Sequence, residues 1–143
     1  MFKALALRFV GLFGKGMHVL DEEELRLEDP FRDGDRIIDL GGGADVLDLS
    51  DAGNRLSVTG VETLNGGSGA DTVTLLTAVT DMRVQLRNGA DALFLADGTN
   101  GVRAIGIETV IGGSGDDDVS TGSRLSGYVS LGSGADRLSF TSA

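Results

Sequence analysis

Apolar side chains recur along most of this chain with a beat of eight to eleven residues, marked by Leu47, Leu56, Leu64, Val73, Val84, Leu93, Val102, Val110, Val119, Val129 and Leu138. A second apolar residue usually follows two positions later, as Leu49, Val58, Leu75, Leu86, Leu95, Leu131 and Phe140. Alternation with period two is the signature of a strand with one buried face. Gly66, Gly112 and Thr121 stand at the second inward position instead and mark strands already bending into their turns. Each beat therefore predicts one short strand and one tight turn. Turns this short leave no room for a helical crossover, so the strands either zigzag as antiparallel hairpins in a sandwich or stack as a solenoid. Two strands per coil explain the regular beat and the repeated turns together. The expected fold is all-β: a parallel β-roll, that is, a two-sheet right-handed β-solenoid.

A longer period lies over the beat. Shifted by 46 residues the chain aligns on itself, with Gly60-Val-Glu-Thr-Leu64 falling on Gly106-Ile-Glu-Thr-Val110 and Asn54 on Asn100. The modules run over about 36–81 and 82–126, with a partial copy over 127–143. Five strands per module make two and a half coils, so matching turns of successive modules are expected on opposite edges of the roll.

Residues 1–35 are expected to form an N-terminal cap. Phe2, Leu5, Phe9 and Phe13 fall near one face at helical spacing, which suits a short helix over the first open coil. Arg8 interrupts the apolar run and no small-residue cleavage site follows, so a cleaved signal peptide is not expected. Leu25-Arg-Leu27 reads as an early irregular strand. A helix lying on a membrane surface is the alternative for the opening segment, while the lack of 18 consecutive apolar residues argues against a spanning helix.

The net charge of −10 disfavours nucleic acid and anionic membranes, both of which attract basic surfaces, and suits a binder of cations. The 23 glycines and single proline fit a turn-rich stack. Cysteine is absent, so no disulfide reinforces the fold and thiols say nothing about compartment.

The turns carry the chemistry. Gly66-Gly-Ser-Gly-Ala-Asp-Thr-Val-Thr74 and Gly112-Gly-Ser-Gly-Asp-Asp-Asp-Val-Ser120 both match G-G-x-G-x-D-x-U-x, where U is apolar. Shortened copies at Leu40–Asp48, Leu86–Phe94 and Leu131–Ser139 keep G-x-D-x-U. Glycine permits left-handed turns and close backbone approach, and aspartate supplies a hard oxygen. Calcium takes six to eight oxygens, more than one turn can offer, so two turns stacked on one edge would share the ion. Alternate beats place Asp71 beside Asp91 and Asp117 beside Asp136, the two expected sites. Gly66, Gly67, Ser68, Gly69, Asn88 and Gly89 would line the first, and Gly112, Gly113, Ser114, Gly115, Ser133 and Gly134 the second. Asp45 beside Glu62 is a weaker pair, because the glutamate turn has a single glycine. Asn54 and Asn100 are read as turn formers in preference to neutral ligands.

These turns resemble the RTX, or haemolysin-type, calcium-binding repeats of bacterial secreted proteins, over roughly residues 36 to 140 and strictly in the two full loops. The resemblance implies Ca2+ as the bound cofactor, a secreted or cell-surface location, and a structural or adhesive use, often beside a separate catalytic domain. Family members typically leave the cell unfolded through a C-terminal signal. No such signal is evident before Ala143, and a stop inside a third module suggests a fragment or a strand edge offered to a partner.

Two other classes compete. Gly66-Gly-Ser-Gly-Ala70 only faintly echoes a nucleophile elbow, the single imidazole is His18 outside the repeat, and no P-loop lysine follows a glycine cluster, so the chain is not expected to be an enzyme. A self-assembling or surface-binding solenoid would use the turns as scaffold. Among outward pairs only Thr72 and Thr74 form Thr-x-Thr, short of a threonine ladder, but end-to-end self-association is open to any solenoid.

Overall fold

A computed structural model describes residues 17–18, 24–26, 37–122 and 127–141. Every regular element in it is a strand. The strands are β1 (Met17–His18), β2 (Glu24–Arg26), β3 (Ile37–Asp39), β4 (Val46–Asp48), β5 (Arg55–Thr59), β6 (Thr63–Asn65), β7 (Thr72–Leu75), β8 (Met82–Gln85), β9 (Ala92–Phe94), β10 (Gly101–Ile105), β11 (Thr109–Ile111), β12 (Asp118–Thr121), β13 (Tyr128–Ser130) and β14 (Arg137–Phe140).

Odd-numbered strands form one seven-stranded sheet and even-numbered strands another, each in chain order. All the pairings are parallel. Consecutive strands thus alternate between sheets while each pairs with the strand two before and two after it. That is a β-solenoid with two strands per coil, as the beat predicts. Sheet pairing begins inside the expected cap segment, where β1 pairs with β3 and β2 with β4. The expected helix around Phe2–Phe13 lies outside the described residues.

The inward alternation builds the core. In the odd sheet Leu56, Val73, Leu93, Val110 and Val129 stand in one register row. Leu47, Leu64 and Val84 do the same in the even sheet. Leu47, Leu64, Val73, Val84, Leu93, Val110 and Val119 have no exposed surface. Burying such a side chain contributes roughly 1.5–3 kcal/mol, so these rows supply most of the favourable free energy. Outward positions are exposed or half-buried: in β5 Arg55 is exposed and Ser57 and Thr59 half-buried, and in β10 Arg103 is exposed and Gly101 and Ile105 half-buried.

The beat slips at one place. Val84 pairs with Ala104, and Met82, not Val84, pairs with Val102. The cause is the eleven-residue step from Val73 to Val84, whose turn contains Asp81 at φ 57°. Met82 consequently sits fully inward, where other turns of that edge carry a polar side chain.

Candidate functional site

The turns stack into two edges. One carries the turns that precede odd strands, containing Asn54, Asp71, Asp91 and Glu108; the other carries those that precede even strands, containing Asp45, Glu62, Asn100, Asp117 and Asp136. The full loops at 66–71 and 112–117 fall on opposite edges, because the first leads from β6 to β7 and the second from β11 to β12.

Along each edge the polar side chain of one coil accepts the main-chain N–H at the same position one coil earlier. Asp71 donates to Oδ1 of Asp91 at 2.7 Å, and Asp117 donates to Oδ1 of Asp136 at 3.0 Å. Asp45 donates to Oε2 of Glu62 at 2.8 Å. All three pairs expected from the spacing are therefore neighbours. Asp91 also donates to Oε2 of Glu108 at 2.8 Å, which lengthens the first file to Asn54, Asp71, Asp91 and Glu108. Glu108 is the 46-residue counterpart of Glu62, so the repeat held the signal for it.

The two asparagines do more than turn the chain. Nδ2 of Asn54 donates to the carbonyls of Ser50 and Ala52, closing its own turn, and to Oδ1 of Asp71 at 2.8 Å; its main-chain N–H reaches the same oxygen at 2.9 Å. Asn100 repeats the arrangement on Ala96, Gly98 and Asp117, with 2.8 and 3.0 Å to Oδ1. Through nitrogen these amides hold the carboxylates, while their own Oδ1 atoms accept from Ser50 Oγ at 3.1 Å and from the Val79 N–H at 3.2 Å.

Each buried aspartate has a second oxygen with a different environment. Oδ2 of Asp71, Asp91 and Asp117 is buried and has no hydrogen-bond partner, and the three residues are at most 1 % exposed. An unsatisfied buried polar atom costs about 1–3 kcal/mol, more when charged. Gly66 shows where the Asp71 oxygen points: a Cβ there would lie 2.7 Å from Oδ2 and 2.9 Å from the carbonyl oxygen of Leu86 on the next coil. At Gly112 a Cβ would meet Oδ2 of Asp117, at 2.7 Å, and the carbonyl of Leu131. The first glycine of the motif is thus required because carboxylate and main-chain oxygens converge on it.

The remaining loop residues join neighbouring coils. Gly67 abuts Asp51, Gly69 abuts Gly53 and Gly89 abuts Gly69, while Ser68 Oγ donates to the Asp51 carbonyl at 3.2 Å. Ser114 donates through N and Oγ to Asp97 Oδ1, both at 2.9 Å, and Gly113 abuts the same aspartate. Gly115 donates to the Ser133 carbonyl at 2.8 Å, Ser133 to that of Gly113 at 3.1 Å, and Gly134 abuts Gly115. Asn88 is exposed at the tip of its turn.

Burial pushes the Asp71 carboxyl above its ordinary range, against the bonds from Asn54 and a smaller contribution from the Gly67 amide. Burial likewise raises Asp91 to about 6; the Asp71 N–H opposes this, and the charges of Asp71 and Glu108 on either side add to it. Asp97 moves the other way because Ser114 donates twice to it. Among the described residues no three His, Cys, Asp or Glu side chains converge on one point, so a cation here would draw most of its ligands from main-chain carbonyls. No family model, curated protein or solved structure matches this chain.

Proposed function

We propose that the chain is a calcium-binding β-roll module whose fold is reinforced by Ca2+ held between stacked glycine-aspartate turns. The observation that carries this reading is the buried, unbonded Oδ2 of Asp71 and Asp117, each facing a main-chain carbonyl of the next coil across a glycine. Aspartate and carbonyl oxygens are the hard donors that calcium selects. Asp71 with Asp91, and Asp117 with Asp136, would hold the ions; Asp45 with Glu62 is the weaker pair. The ion supplies positive charge between carboxylates that otherwise repel, and so links folding to calcium concentration. By resemblance to the RTX repeats the module serves a structural or adhesive role in a secreted or surface protein.

Calorimetric titration of the full chain with calcium tests the proposal. Saturable heat that disappears in Asp71→Asn/Asp117→Asn supports it. Absence of heat from the folded chain at millimolar calcium overturns it.

A second reading is favoured by the Oδ1 files themselves, which tie one coil to the next without any ion. The turns are then scaffold, and the working surface is elsewhere. Tyr128, Leu138 and Phe140 are 61, 38 and 60 % exposed, apolar surface suited to contact with a second copy. Sedimentation with calcium and with chelator separates the readings, since a scaffold that assembles by its ends changes size with protein concentration and not with calcium.

A further inference from the structure

We propose that the outer face of the even sheet carries an oxyanion site, built by Arg83 and Arg103 over the shallow floor left by Gly101 and fitted to a phosphate or sulfate ester on an otherwise neutral ligand. The site is independent of any ion in the turns. A groove of about 440 Å3 lies there, walled by Arg83, Arg103, Arg137, Asp81 and Asp118. Gly101 contributes no side chain between Asp118 on one neighbouring strand and the Asp81 backbone on the other, which is what hollows the sheet.

Arg83 and Arg103 are partners in register on adjacent strands, and the same row continues to Ser120 and Ser139. Neighbouring strands lie about 4.8 Å apart, and like charges set side by side on them destabilise a sheet. Among the described residues no ion pair offsets that cost. Among the described residues the one hydrogen bond of these guanidiniums is from Arg83 Nη2 to Gln85 Oε1, at 3.3 Å, and no carboxylate pairs with Arg83, Arg103 or Arg137. Two exposed planar forks one strand apart present paired N–H donors of the kind that grip tetrahedral oxyanions.

The surroundings restrict the ligand. Asp81 and Asp118 stand in the same groove and repel a densely charged polymer, as does the net charge of −10. One isolated oxyanion escapes most of that repulsion while still meeting both arginines. The hydroxyls of Ser120 and Ser139 extend the row as neutral donors and acceptors, which suits a hydroxyl-bearing body behind the ester.

Amide chemical-shift mapping and calorimetry on the full chain, with glucose 6-phosphate, glucose 6-sulfate and glucose at fixed ionic strength, test this. Saturable binding of either ester and not of glucose, with shifts at residues 81–85, 101–103 and 118–120, supports the site; which ester binds tells the phosphate source from the sulfate source. Arg83→Gln/Arg103→Gln should weaken binding at least tenfold, whereas Arg55→Gln on the odd sheet's outer face should change it less than twofold. If the double variant does not fold, Arg103→Lys, which keeps the charge and loses the fork, should weaken binding about threefold or more. No saturable binding of either ester, equal losses in the Arg55 and Arg83/Arg103 variants, or shifts confined to other surfaces overturns the proposal.

Discussion

The main-chain N–H of Asp71 donates to Oδ1 of Asp91, one coil further on, at 2.7 Å. Asp91 is 1 % exposed, so this bond is made away from water. Asp91→Ala would leave the Asp71 N–H without its acceptor and a cavity beside it. A loss of about 1–3 kcal/mol is expected, read as a lower denaturation midpoint with an unchanged slope. Asp91→Asn keeps an acceptor oxygen and should lose less.

Asp91 also makes stability depend on pH. Its carboxyl titrates at about 6 in the folded chain against an ordinary 3.8, so the folded state holds the proton more tightly than the unfolded one. In chelator the contribution is present at low pH and is lost as pH rises from 3.8 to about 6. The melting temperature of the wild type relative to Asp91→Asn should fall across that window. Calcium competes with the proton for the same oxygens, so calcium should raise the melting temperature more strongly above pH 6 than below it.

Calcium itself should matter by an amount that can be bounded. For a dissociation constant near 10⁻⁴ M and calcium near 10⁻³ M, each site adds roughly 1.4 kcal/mol. Two sites shift the midpoint of a chain of this size by about ten degrees. Circular dichroism melts with calcium and with chelator measure it, and superimposable curves would contradict the calcium reading.

The glycines divide into those that must lack a side chain and those that need not. Gly66→Ala drives a methyl into Oδ2 of Asp71 and, at 2.8 Å, the Cα of Leu86, so coils must separate and at least 2 kcal/mol should be lost, in the usual range for overpacking. Gly42 has nothing within 4 Å of a Cβ, and Gly42→Ala should be neutral or stabilising by up to about 1 kcal/mol. Thermal melts should show a clear fall in midpoint for Gly66→Ala and none for Gly42→Ala.

Much of this architecture was legible because a solenoid's long-range contacts repeat a local rule. Once alternate beats are assigned to one sheet, Asp71 must neighbour Asp91 and Asp117 must neighbour Asp136. Register was harder, because the extra length between Val73 and Val84 can be absorbed on either side of β8. The chain places Met82 against Val102, which interrupts one polar file. Asn54 and Asn100 show a different limit: an asparagine in a turn reads as a turn former, and its second duty toward Asp71 or Asp117 emerges only when the next coil is laid beside it. Glu108 lies in a turn equivalent to that of Glu62 but escapes a reading by pairs, because Asp91 is already matched with Asp71. The pairing of Arg83 with Arg103 likewise depends on register, being 20 residues apart with no motif to join them.

An odd number of strands per module has a consequence for growth and for ion binding. Each 46-residue duplication turns the unit half a revolution, so β4 in the even sheet corresponds to β9 in the odd one. Adding units in tandem therefore lengthens the molecule as a two-fold screw and spreads its carboxylates over both flanks. Ions taken up by the two full-length loops would be divided by the width of the hydrophobic interior, and their first binding steps should titrate as separate events.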